Sequence, residues 1–375
     1  MLEKINLPLI QDADLKRKIV LVRVDHNVVK KGVIHDPYRI DATLGTLYYI
    51  NAKGGKIILM THVGRPRNKE TGEINIDKDT SIQPIVNYLQ SKLHITIKVP
   101  DFYQHEKMGY LGIETSINHL IRQLKDDEID GIYLPNTRWF YGEEAKGQKG
   151  ERFADQLAGL ADIYVNDAFG SWQPHASTVL VNKYLPSYAG FLLQKEITNL
   201  ERIYKPESPF VAVVAGSKFD TKIDSLYELL KEADNLILGG VIYNAYLCAK
   251  YGLEIKGISR EDMNHAKKFV VFSEKYPGKL IELPYIIESD TLEGKIDGKY
   301  RIHNIYELEK GTKLNYVLDI ASESFKEESV IKVFGDAKTI FVNAVMGFTP
   351  HFNEGTIALD ELIDKNPEAI KLYGG

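Results

Sequence analysis

The sequence contains a single cysteine, Cys248, and has no long uninterrupted hydrophobic run. One cysteine excludes an intrachain disulfide and a zinc site built from several thiolates. Charged Glu3 and the break at Pro8 come before any apolar core develops, so the N-terminus lacks the character of a signal peptide. No segment approaches the length of a membrane-spanning helix. We therefore expect a cytoplasmic protein without membrane contact.

Several catalytic motifs are also missing. The chain has no Walker loop ending in Gly-Lys-Ser/Thr and no protein-kinase signature after its glycines. It also has no His-Glu-x-x-His zinc motif and no Gly-x-Ser-x-Gly nucleophile turn. Metalloprotease and α/β-hydrolase functions are therefore excluded, and no residue is assigned as a metal ligand.

Charge and length limit the partners and the number of domains. The formal net charge of −5 at pH 7 gives no general attraction to nucleic acid, so any anion-binding site must be local. At 375 residues, with 44% hydrophobic and 26% charged residues, the chain exceeds the size at which one globular core stops growing. We expect two domains and no nucleic-acid partner.

Short apolar runs alternate with amphipathic stretches throughout the chain. Strand candidates in the first half are Lys18–Asp25, Lys56–His62, Ile95–Val99, Gly131–Leu134 and Ile163–Val165, and helix candidates are Arg39–Ala52, Ser81–Leu93, Ile113–Leu124 and Glu151–Leu160. Strand candidates in the second half are Phe210–Val214, Leu236–Leu238, Leu280–Leu283, Val317–Ile320 and Thr339–Val342, and helix candidates are Thr221–Leu230, Tyr243–Tyr251, Glu261–Lys275 and Glu323–Val333. The pattern predicts an α/β fold with a doubly wound parallel sheet in each half.

The boundary between the halves is predicted from Pro186 and Gly190, which precede a helical pattern. We expect an N-terminal domain over 1–187 and a C-terminal domain over 188–375, with a linking helix over about 188–204.

Polar residues follow the strand candidates of the first half. The segments are Arg23–Asn27, Thr61–Pro66, Asn136–Arg138 and Asn166–Gly170, and three of the four contain arginine. Ligands of parallel sheets bind beyond the carboxyl ends of the strands. Solvated ion pairs around the sheet rim would also explain any single arginine, but a recurring set favours binding of phosphate or carboxylate.

In the second half the strand ends carry glycine and lysine. They are Ala215–Lys222, Gly239–Gly240, Asn343–Gly347 and Gly374–Gly375. Small residues let backbone N–H groups approach phosphates, which suggests a nucleotide. A Gly-Gly pair more often reflects tight helix-to-strand packing than a ligand loop, and Lys218 and Lys222, four residues apart, could lie on a solvated helix face. Together the two halves predict phosphoryl transfer between a nucleotide and a small anionic molecule.

These motifs resemble those of phosphoglycerate kinase, and the resemblance runs from the first strand to the last residue. Val22–Val28 resembles the family's Arg-Val-Asp-Phe-Asn, Thr61–Pro66 its Ser-His-Leu-Gly-Arg-Pro, and Asn136–Phe140 its Asn-Val-Arg-Phe. Val165–Gly170, Ala176–Thr178, Leu185–Ser187 and Ala189–Leu192 also match. The resemblance implies two Rossmann-like domains joined by a hinge helix. They would close over 3-phosphoglycerate on the first domain and a magnesium nucleotide, ATP or ADP, on the second.

The resemblance also implies roles for single residues. Asp25, Asn27, His62, Arg65 and Arg138 would bind 3-phosphoglycerate. Arg39 would stabilise the moving phosphoryl group, and Lys218 would reach it. Lys222 would hold nucleotide phosphates, while Gly239 and Asn343 would contact the nucleotide. Such in-line transfer depends mostly on positioning, cations and water exclusion.

The chain departs from the family pattern in three places. Gln173 stands where the family has a substrate-phosphate arginine, in a loop one residue shorter. Asn343–His351 differs from the family's Asn-Gly-Pro-Met-Gly-Val-Phe-Glu, so the glutamate that contacts the ribose has no counterpart. The sequence stops at Gly375 inside what resembles Gly-Gly-Gly-Asp-Thr, which implies an incomplete C-terminal end without the aspartate near magnesium.

Three functions therefore stay open. The first is a monomeric phosphoglycerate kinase of glycolysis and gluconeogenesis, which interconverts ATP and 3-phosphoglycerate with ADP and 1,3-bisphosphoglycerate. The second is a kinase for a related carboxylate, because Trp172 and Gln173 reshape the phosphate end of the site. The third is a catalytically impaired binding or regulatory protein of the same fold.

Overall fold

The computed structural model describes residues 7–171, 173–217, 219 and 222–374. The chain divides into two compact units, Met1–Leu200 and Glu201–Gly375, so that the division lies inside the helix Phe191–Tyr204. Within the described ranges, no helix is both long and apolar enough to cross a membrane.

The first unit contains a six-stranded parallel sheet. Its strands and helices, in chain order, are β1 Ile19–Val24, β2 Val29–Lys30, β3 Val33–Ile34, α1 Tyr38–Asp41, α2 Leu44–Ala52, β4 Lys56–Met60, α3 Gln83–Leu93, β5 Ile97–Lys98, β6 Gln104–His105, β7 Gly109–Tyr110, α4 Ile117–Lys125, β8 Gly131–Tyr133, α5 Gln148–Ala158, β9 Ile163–Asp167, β10 Ser187–Ala189 and α6 Phe191–Tyr204. The strand order is β10-β9-β1-β4-β8-β5, and every pairing is parallel.

Strand β1 is central because all six of its residues are buried. In its register Val22 lies beside Leu59 of β4 and Val165 of β9. Alternate residues face opposite sides of a sheet, so β1 contributes Leu21 to one apolar core and Val22 to the other. Continuous apolar runs of this kind are typical of parallel strands covered on both faces.

Two helix predictions in this unit need correction. The stretch Arg39–Ala52 forms two helices rather than one, and the Thr43 hydroxyl donates to the Ile40 carbonyl (2.8 Å) at the break. The linking helix begins at Phe191 rather than near 188, because Ser187–Ala189 pairs with β9 as the edge strand β10.

The second unit is also built on a parallel sheet. Its elements are β11 Phe210–Val214, α7 Ile223–Glu232, β12 Asn235–Leu238, α8 Gly240–Tyr251, β13 Glu254–Ile255, α9 Arg260–Ser273, β14 Leu280–Ile281, β15 Tyr285–Ser289, β16 Tyr300–Asn304, β17 Lys313–Leu314, β18 Tyr316–Ile320, α10 Glu328–Asp336, β19 Thr339–Asn343, α11 Glu354–Asp364 and β20 Ile370–Gly374. The five-stranded order is β14-β12-β11-β19-β20, again with parallel pairing throughout.

A second, antiparallel sheet of three strands, β16-β15-β18, is inserted in this unit. The predicted strand Val317–Ile320 belongs to it, as β18, and not to the parallel sheet. The fifth parallel strand is instead β20, which the sequence did not predict as a strand. The two doubly wound sheets agree with the predicted α/β architecture, and the antiparallel sheet adds to it.

Candidate functional site

Loops at the carboxyl ends of the strands in the first unit surround a cavity of about 300 Å³. Its lining residues are Arg23, Asn27, His62, Gly64, Arg65, Arg138, Gly170, Ser171, Gln173, His175 and Thr178. Four of the five predicted substrate-binding residues, Asn27, His62, Arg65 and Arg138, are therefore brought together in one cavity. They follow β1, β4 and β8, where parallel sheets bind their ligands.

The fifth predicted residue, Asp25, lies directly beside this cavity. Its side chain is nearly buried, and its Oδ2 accepts a hydrogen bond from the Arg39 Nη1 at 3.1 Å. A Cβ atom added at Gly170 would collide with the Asp25 carboxylate, so this position requires glycine. The Asp25 Oδ1 has no hydrogen-bond partner among the described residues. Asp25 thus holds one guanidinium nitrogen of Arg39, whose side chain is 54% exposed.

Buried Asn136 fixes the loops that carry His62, Arg65 and Arg138. Its Oδ1 accepts from the backbone N–H groups of Val63 and Arg138, both at 3.1 Å. Its Nδ2 donates to the carbonyl oxygens of Val63 (2.7 Å) and Thr80 (2.8 Å). All four hydrogen-bonding positions of this amide are therefore occupied by protein, and Asn136 positions the loops rather than contacting a ligand.

Arg138 lies on the short 3-10 helix Thr137–Trp139 that follows β8. Its Nη1 donates to the Gly64 carbonyl at 2.6 Å, and its Nε is 3.3 Å from a carboxylate oxygen of Glu144. Burial lowers the pKa of Arg138, while Glu144 acts in the opposite direction. Guanidinium groups stay charged at every pH relevant to proteins, so Arg138 supplies a fixed cation at the cavity wall.

His62 is 8% exposed and borders the same cavity. Burial, followed by the positive charges of Arg23 and Arg138, lowers its pKa from 6.5 to about 2. The ring is therefore neutral near pH 7, and it supplies one hydrogen-bond donor and one acceptor rather than a positive charge.

The cavity also contains residues to which the sequence assigned no binding role, namely Arg23, Ser171, His175 and Thr178. Arg23 was one of the arginines noted at the strand ends but received no individual role, although a charged residue within a fully buried strand was a signal that it has a buried partner. Gln173, which stands where the family has arginine, also lines the cavity. Trp172 lies outside the described residues.

The second predicted group of residues lies at strand ends in the second unit. Asn343 ends β19, and its Oδ1 accepts a hydrogen bond from the Lys222 Nζ. Lys222 directly precedes α7, and its side chain lies 3.9 Å from the position of a Cβ atom added at Gly216. Lys218 lies outside the described residues. Lys222 and Asn343 are therefore in contact, as required of two residues with a common ligand.

The Gly239–Gly240 pair is needed for packing. A Cβ atom at Gly239 would lie 2.7 Å from the Met346 sulfur, and one at Gly240 would lie 2.8 Å from the Gly216 carbonyl oxygen. Gly240 also has a φ of +59°, which side chains rarely adopt. Close packing therefore accounts for both glycines, whether or not a ligand contacts Gly239.

The described residues of the second unit suit a phosphate better than a bare metal ion. Nowhere in the described ranges do three or more His, Cys, Asp or Glu side chains form a metal-binding group. The buried carboxylate of Asp319 already accepts from the backbone N–H groups of Ile320 (2.8 Å) and Gly355 (3.2 Å). Mg²⁺ commonly binds through substrate phosphates and water, with only one or two carboxylates.

Comparison with known proteins identifies what this chain is similar to. The family model described as phosphoglycerate kinase matches residues 10–375. The phosphoglycerate kinase of Dictyoglomus turgidum is 34% identical over 375 residues, which covers 98% of this chain and 87% of that relative. The one of Finegoldia magna is 32% identical and covers 99% of this chain and 89% of the relative. The solved structure of phosphoglycerate kinase from Coxiella burnetii has a TM-score of 0.76 and 27% identity, and covers 98% of this chain and 88% of its own.

Proposed function

The chain belongs to the phosphoglycerate kinase family. We propose that it transfers a phosphoryl group between ATP and the carboxylate of 3-phosphoglycerate. The family membership confirms the resemblance drawn from the motifs. The observation that carries the proposal is the cavity of the first unit, where three arginines and a neutral histidine meet beside Asp25 and Arg39.

The substrate would bind through positive charge and hydrogen-bond donors. Arg65 and Arg138 provide the positive charge, and planar guanidinium groups match phosphate and carboxylate oxygens. The Oδ1 of Asn27 is already occupied, since it accepts from the Gly64 N–H at 2.9 Å, so its Nδ2 amide is left to donate. This set suits a small molecule that carries both a phosphate and a carboxylate.

Arg39 is proposed to stabilise the transferring group. Phosphoryl transfer spreads negative charge over the equatorial oxygens, so a cation placed there lowers the barrier without any proton transfer. Asp25 holds the Nη1 of Arg39, which leaves the remaining guanidinium donors of this half-exposed side chain for the reaction. Lys218 is proposed to assist from the second unit, on the resemblance alone.

The nucleotide is proposed to bind at Lys222, Gly239 and Asn343 in the second unit. The Lys222 ammonium would contact phosphate oxygens, and its contact with Asn343 keeps it at the strand ends. Mg²⁺ is proposed to arrive with the nucleotide, where it would neutralise charge on the phosphates. The protein's own task at this site is to orient the nucleotide for an in-line transfer when the two ligands are brought together.

Gln173 favours one alternative, a related carboxylate as the acceptor. It lines the cavity where the family carries an arginine, so one cation for the substrate phosphate is missing. An acceptor with less negative charge at that end would lose less affinity than 3-phosphoglycerate does. A cytoplasmic location and a monomeric state remain predictions.

A coupled assay with ATP, Mg²⁺ and 3-phosphoglycerate tests the proposal. We expect ADP formation that depends on 3-phosphoglycerate and is lost in Arg39→Ala. Faster turnover with another small carboxylate, offered in competition, would move the acceptor assignment to that acid. Nucleotide binding by calorimetry without turnover on any acid would instead indicate a binding protein, and would contradict the proposal.

A further inference from the structure

Buried Arg23 makes a contact with His62 that determines the state of the histidine ring. The Arg23 side chain is 1% exposed, and its Nη2 lies 3.0 Å from the His62 Nδ1. A guanidinium group has five donors and no acceptor. The His62 Nδ1 must therefore be the acceptor, so the ring proton is on Nε2.

The other two nitrogen atoms of the Arg23 guanidinium are also hydrogen-bonded. Its Nε donates to the Ser177 hydroxyl at 3.0 Å, and its Nη1 donates to the Val24 carbonyl. The Ser177 hydroxyl in turn donates to the fully buried Glu143 carboxylate at 2.6 Å. Glu143 thus balances the buried charge of Arg23 through one serine, which keeps the guanidinium in one orientation.

The Nε2–H of His62 is available to a ligand. Within the described residues no group accepts a hydrogen bond from it, and His62 lines the cavity. A ring that carried its proton on Nδ1 would place two donors against each other at Arg23. The Nε2 of such a ring would have a lone pair instead of a proton, and this lone pair would repel the oxygens of an anionic ligand.

We propose that Arg23 is a positioning residue that holds His62 as the neutral Nε2–H tautomer, with this N–H donated to an oxygen of the bound anion. The assignment of that anion as 3-phosphoglycerate rests on the proposed function. Arg23 has two effects through the same contact: it selects the tautomer, and its charge opposes protonation of the ring. The donor strength of His62 is then constant across the pH range of the assay.

The tautomer is measured directly by nitrogen-15 NMR of the ring, in the intact protein without ligand or nucleotide. In the unsubstituted protein we expect a protonated Nε2, an unprotonated Nδ1 and no titration of His62 between pH 5 and 8. A protonated Nδ1 or a cationic ring in that range would overturn the proposal. Since this measurement needs no turnover, its failure is distinct from failure of the proposed kinase activity.

The substitution Arg23→Met removes the guanidinium but keeps much of the side-chain volume. We expect a mixture of His62 tautomers and a titration that moves upward into the measured range. Arg65→Met is the matched control, because it removes an exposed cation from the same cavity without touching His62. It should weaken anion binding but leave the His62 tautomer and titration unchanged. Equal changes in both variants would show a general charge effect and refute the specific role of Arg23.

Ligand binding provides a second readout. The affinity of Arg23→Met for 3-phosphoglycerate is measured at each pH and divided by the affinity of the unsubstituted protein at the same pH. This ratio should change over the pH range in which His62 of the variant titrates. A ratio that stays constant while the ring titrates would mean that His62 does not donate to the ligand. If Arg23→Met does not fold, Arg23→Lys keeps the charge with fewer donors, and the tautomer in the unsubstituted protein remains decisive.

Discussion

Gln173 is the residue at which the cavity differs from the family motif. Its side chain lines the cavity, and its carbonyl accepts hydrogen bonds from the Thr178 hydroxyl (2.5 Å) and the His175 N–H (2.8 Å). The backbone of this short loop is therefore well fixed. An arginine substituted for Gln173 would therefore extend from a fixed backbone position beside the proposed anion site.

We predict that Gln173→Arg tightens binding of 3-phosphoglycerate. A hydrogen bond to a charged group contributes about 1.5–3 kcal/mol, so the dissociation constant should fall roughly ten- to a hundredfold. Calorimetry with 3-phosphoglycerate alone measures this change. Gln173→Met, which has similar length and no charge, serves as the control and should not bind more tightly. Unchanged affinity in Gln173→Arg would mean that the shortened loop points the arginine away from the phosphate.

His26 occupies the position where the family motif has phenylalanine, and it is fully buried. The Thr43 hydroxyl gives its proton to the Ile40 carbonyl, so it accepts from the His26 Nε2–H at 2.9 Å. The His26 Nδ1 then accepts from the Tyr133 hydroxyl at 3.0 Å. These hydrogen bonds connect the end of β1 to β8 and to the break between α1 and α2, so His26 supports the segment that carries Arg39.

The acid stability of the protein should depend on His26. Burial, then the charge of Arg23, lowers its pKa from 6.5 to about 3. As pH falls from 6.5 towards 3, the unfolded chain binds a proton that the folded chain excludes, so the free energy of unfolding decreases. His26→Phe should remove this dependence, which amounts to roughly 1.4 kcal/mol per pH unit in the middle of that range.

Denaturant unfolding at several pH values measures the slope. Tyr133→Phe is the matched control, because it removes one hydrogen bond to His26 but keeps the titrating ring. In both variants the free energy of unfolding should fall by about 1–3 kcal/mol at neutral pH. Only His26→Phe should show a weaker dependence of that free energy on pH. The slope will not reach zero, since the lowered pKa of His62 acts in the same direction. An unaltered slope in His26→Phe would show that another group controls acid unfolding.

At the scale of elements, Asp167 connects strand β9 to the start of α6. Its Oδ1 accepts from the backbone N–H groups of Leu192 (2.9 Å) and Leu193 (3.1 Å). These N–H groups belong to the first turn of α6, which has no intrahelical acceptors for them. Gly190 is needed between them, because a Cβ atom there would collide with the Asp167 carboxylate.

We predict that the stabilising effect of Asp167 declines as pH rises. Burial raises its pKa from 3.8 to about 6 against the opposing hydrogen bonds from α6. Between these values the folded protein holds a proton that the unfolded chain has released, so stability is lost as pH rises from 3.8 through about 6. Asp167→Asn keeps the acceptor for α6 and cannot ionise, so it should not show this loss.

Thermal unfolding from pH 4 to pH 7 compares the two proteins. Relative to the unsubstituted chain, the melting temperature of Asp167→Asn should rise as pH increases. Asp155→Asn, at an exposed position on α5, is the control and should follow the unsubstituted chain. Asp167→Ala removes the acceptor for the first N–H groups of α6 at every pH, and it should lower the free energy of unfolding by about 0.5–2 kcal/mol. Parallel curves for Asp167→Asn and the unsubstituted protein would contradict the raised pKa.

The elements also show what the sequence could and could not predict. Runs such as Phe210–Val214 are apolar throughout and rich in valine, which is typical of buried parallel strands, and this one was predicted with the right bounds. Val317–Ile320 was predicted to be extended, but its pairing with the antiparallel partner β15 depends on contacts far along the chain. Strand β20 is only partly buried, so its sequence carried a weak signal.

The candidate site was predicted through its motifs rather than through its geometry. Asn27, His62, Arg65 and Arg138 lie in short segments that follow strands, and topology alone brings such segments together. The supporting roles of two residues in these same segments were not predicted. Arg23 and Asn136 act through hydrogen bonds to side chains and loops 39 to 154 residues away in the sequence, and spacing does not reveal these contacts.

At the scale of the whole molecule, the two proposed ligand sites are built from separate sets of residues. Every residue that lines the anion cavity lies between Arg23 and Thr178, in the first unit. The proposed nucleotide contacts Lys222, Gly239 and Asn343 all belong to the second unit. Each ligand should therefore bind without the other, whereas turnover requires both sites in one intact chain.

Lys222→Ala tests this separation. Loss of one charge-assisted contact should weaken nucleotide binding roughly ten- to a hundredfold, while the affinity for 3-phosphoglycerate stays the same. Calorimetry of the intact protein with each ligand alone measures the two affinities. Lys231→Ala is the control, because this lysine lies on the same helix α7 and pairs with Glu228 on its surface. If Lys222→Ala weakened 3-phosphoglycerate binding as much as nucleotide binding, the two sites would be energetically coupled even with one ligand absent. The assignment of Lys222 to the nucleotide alone would then be wrong.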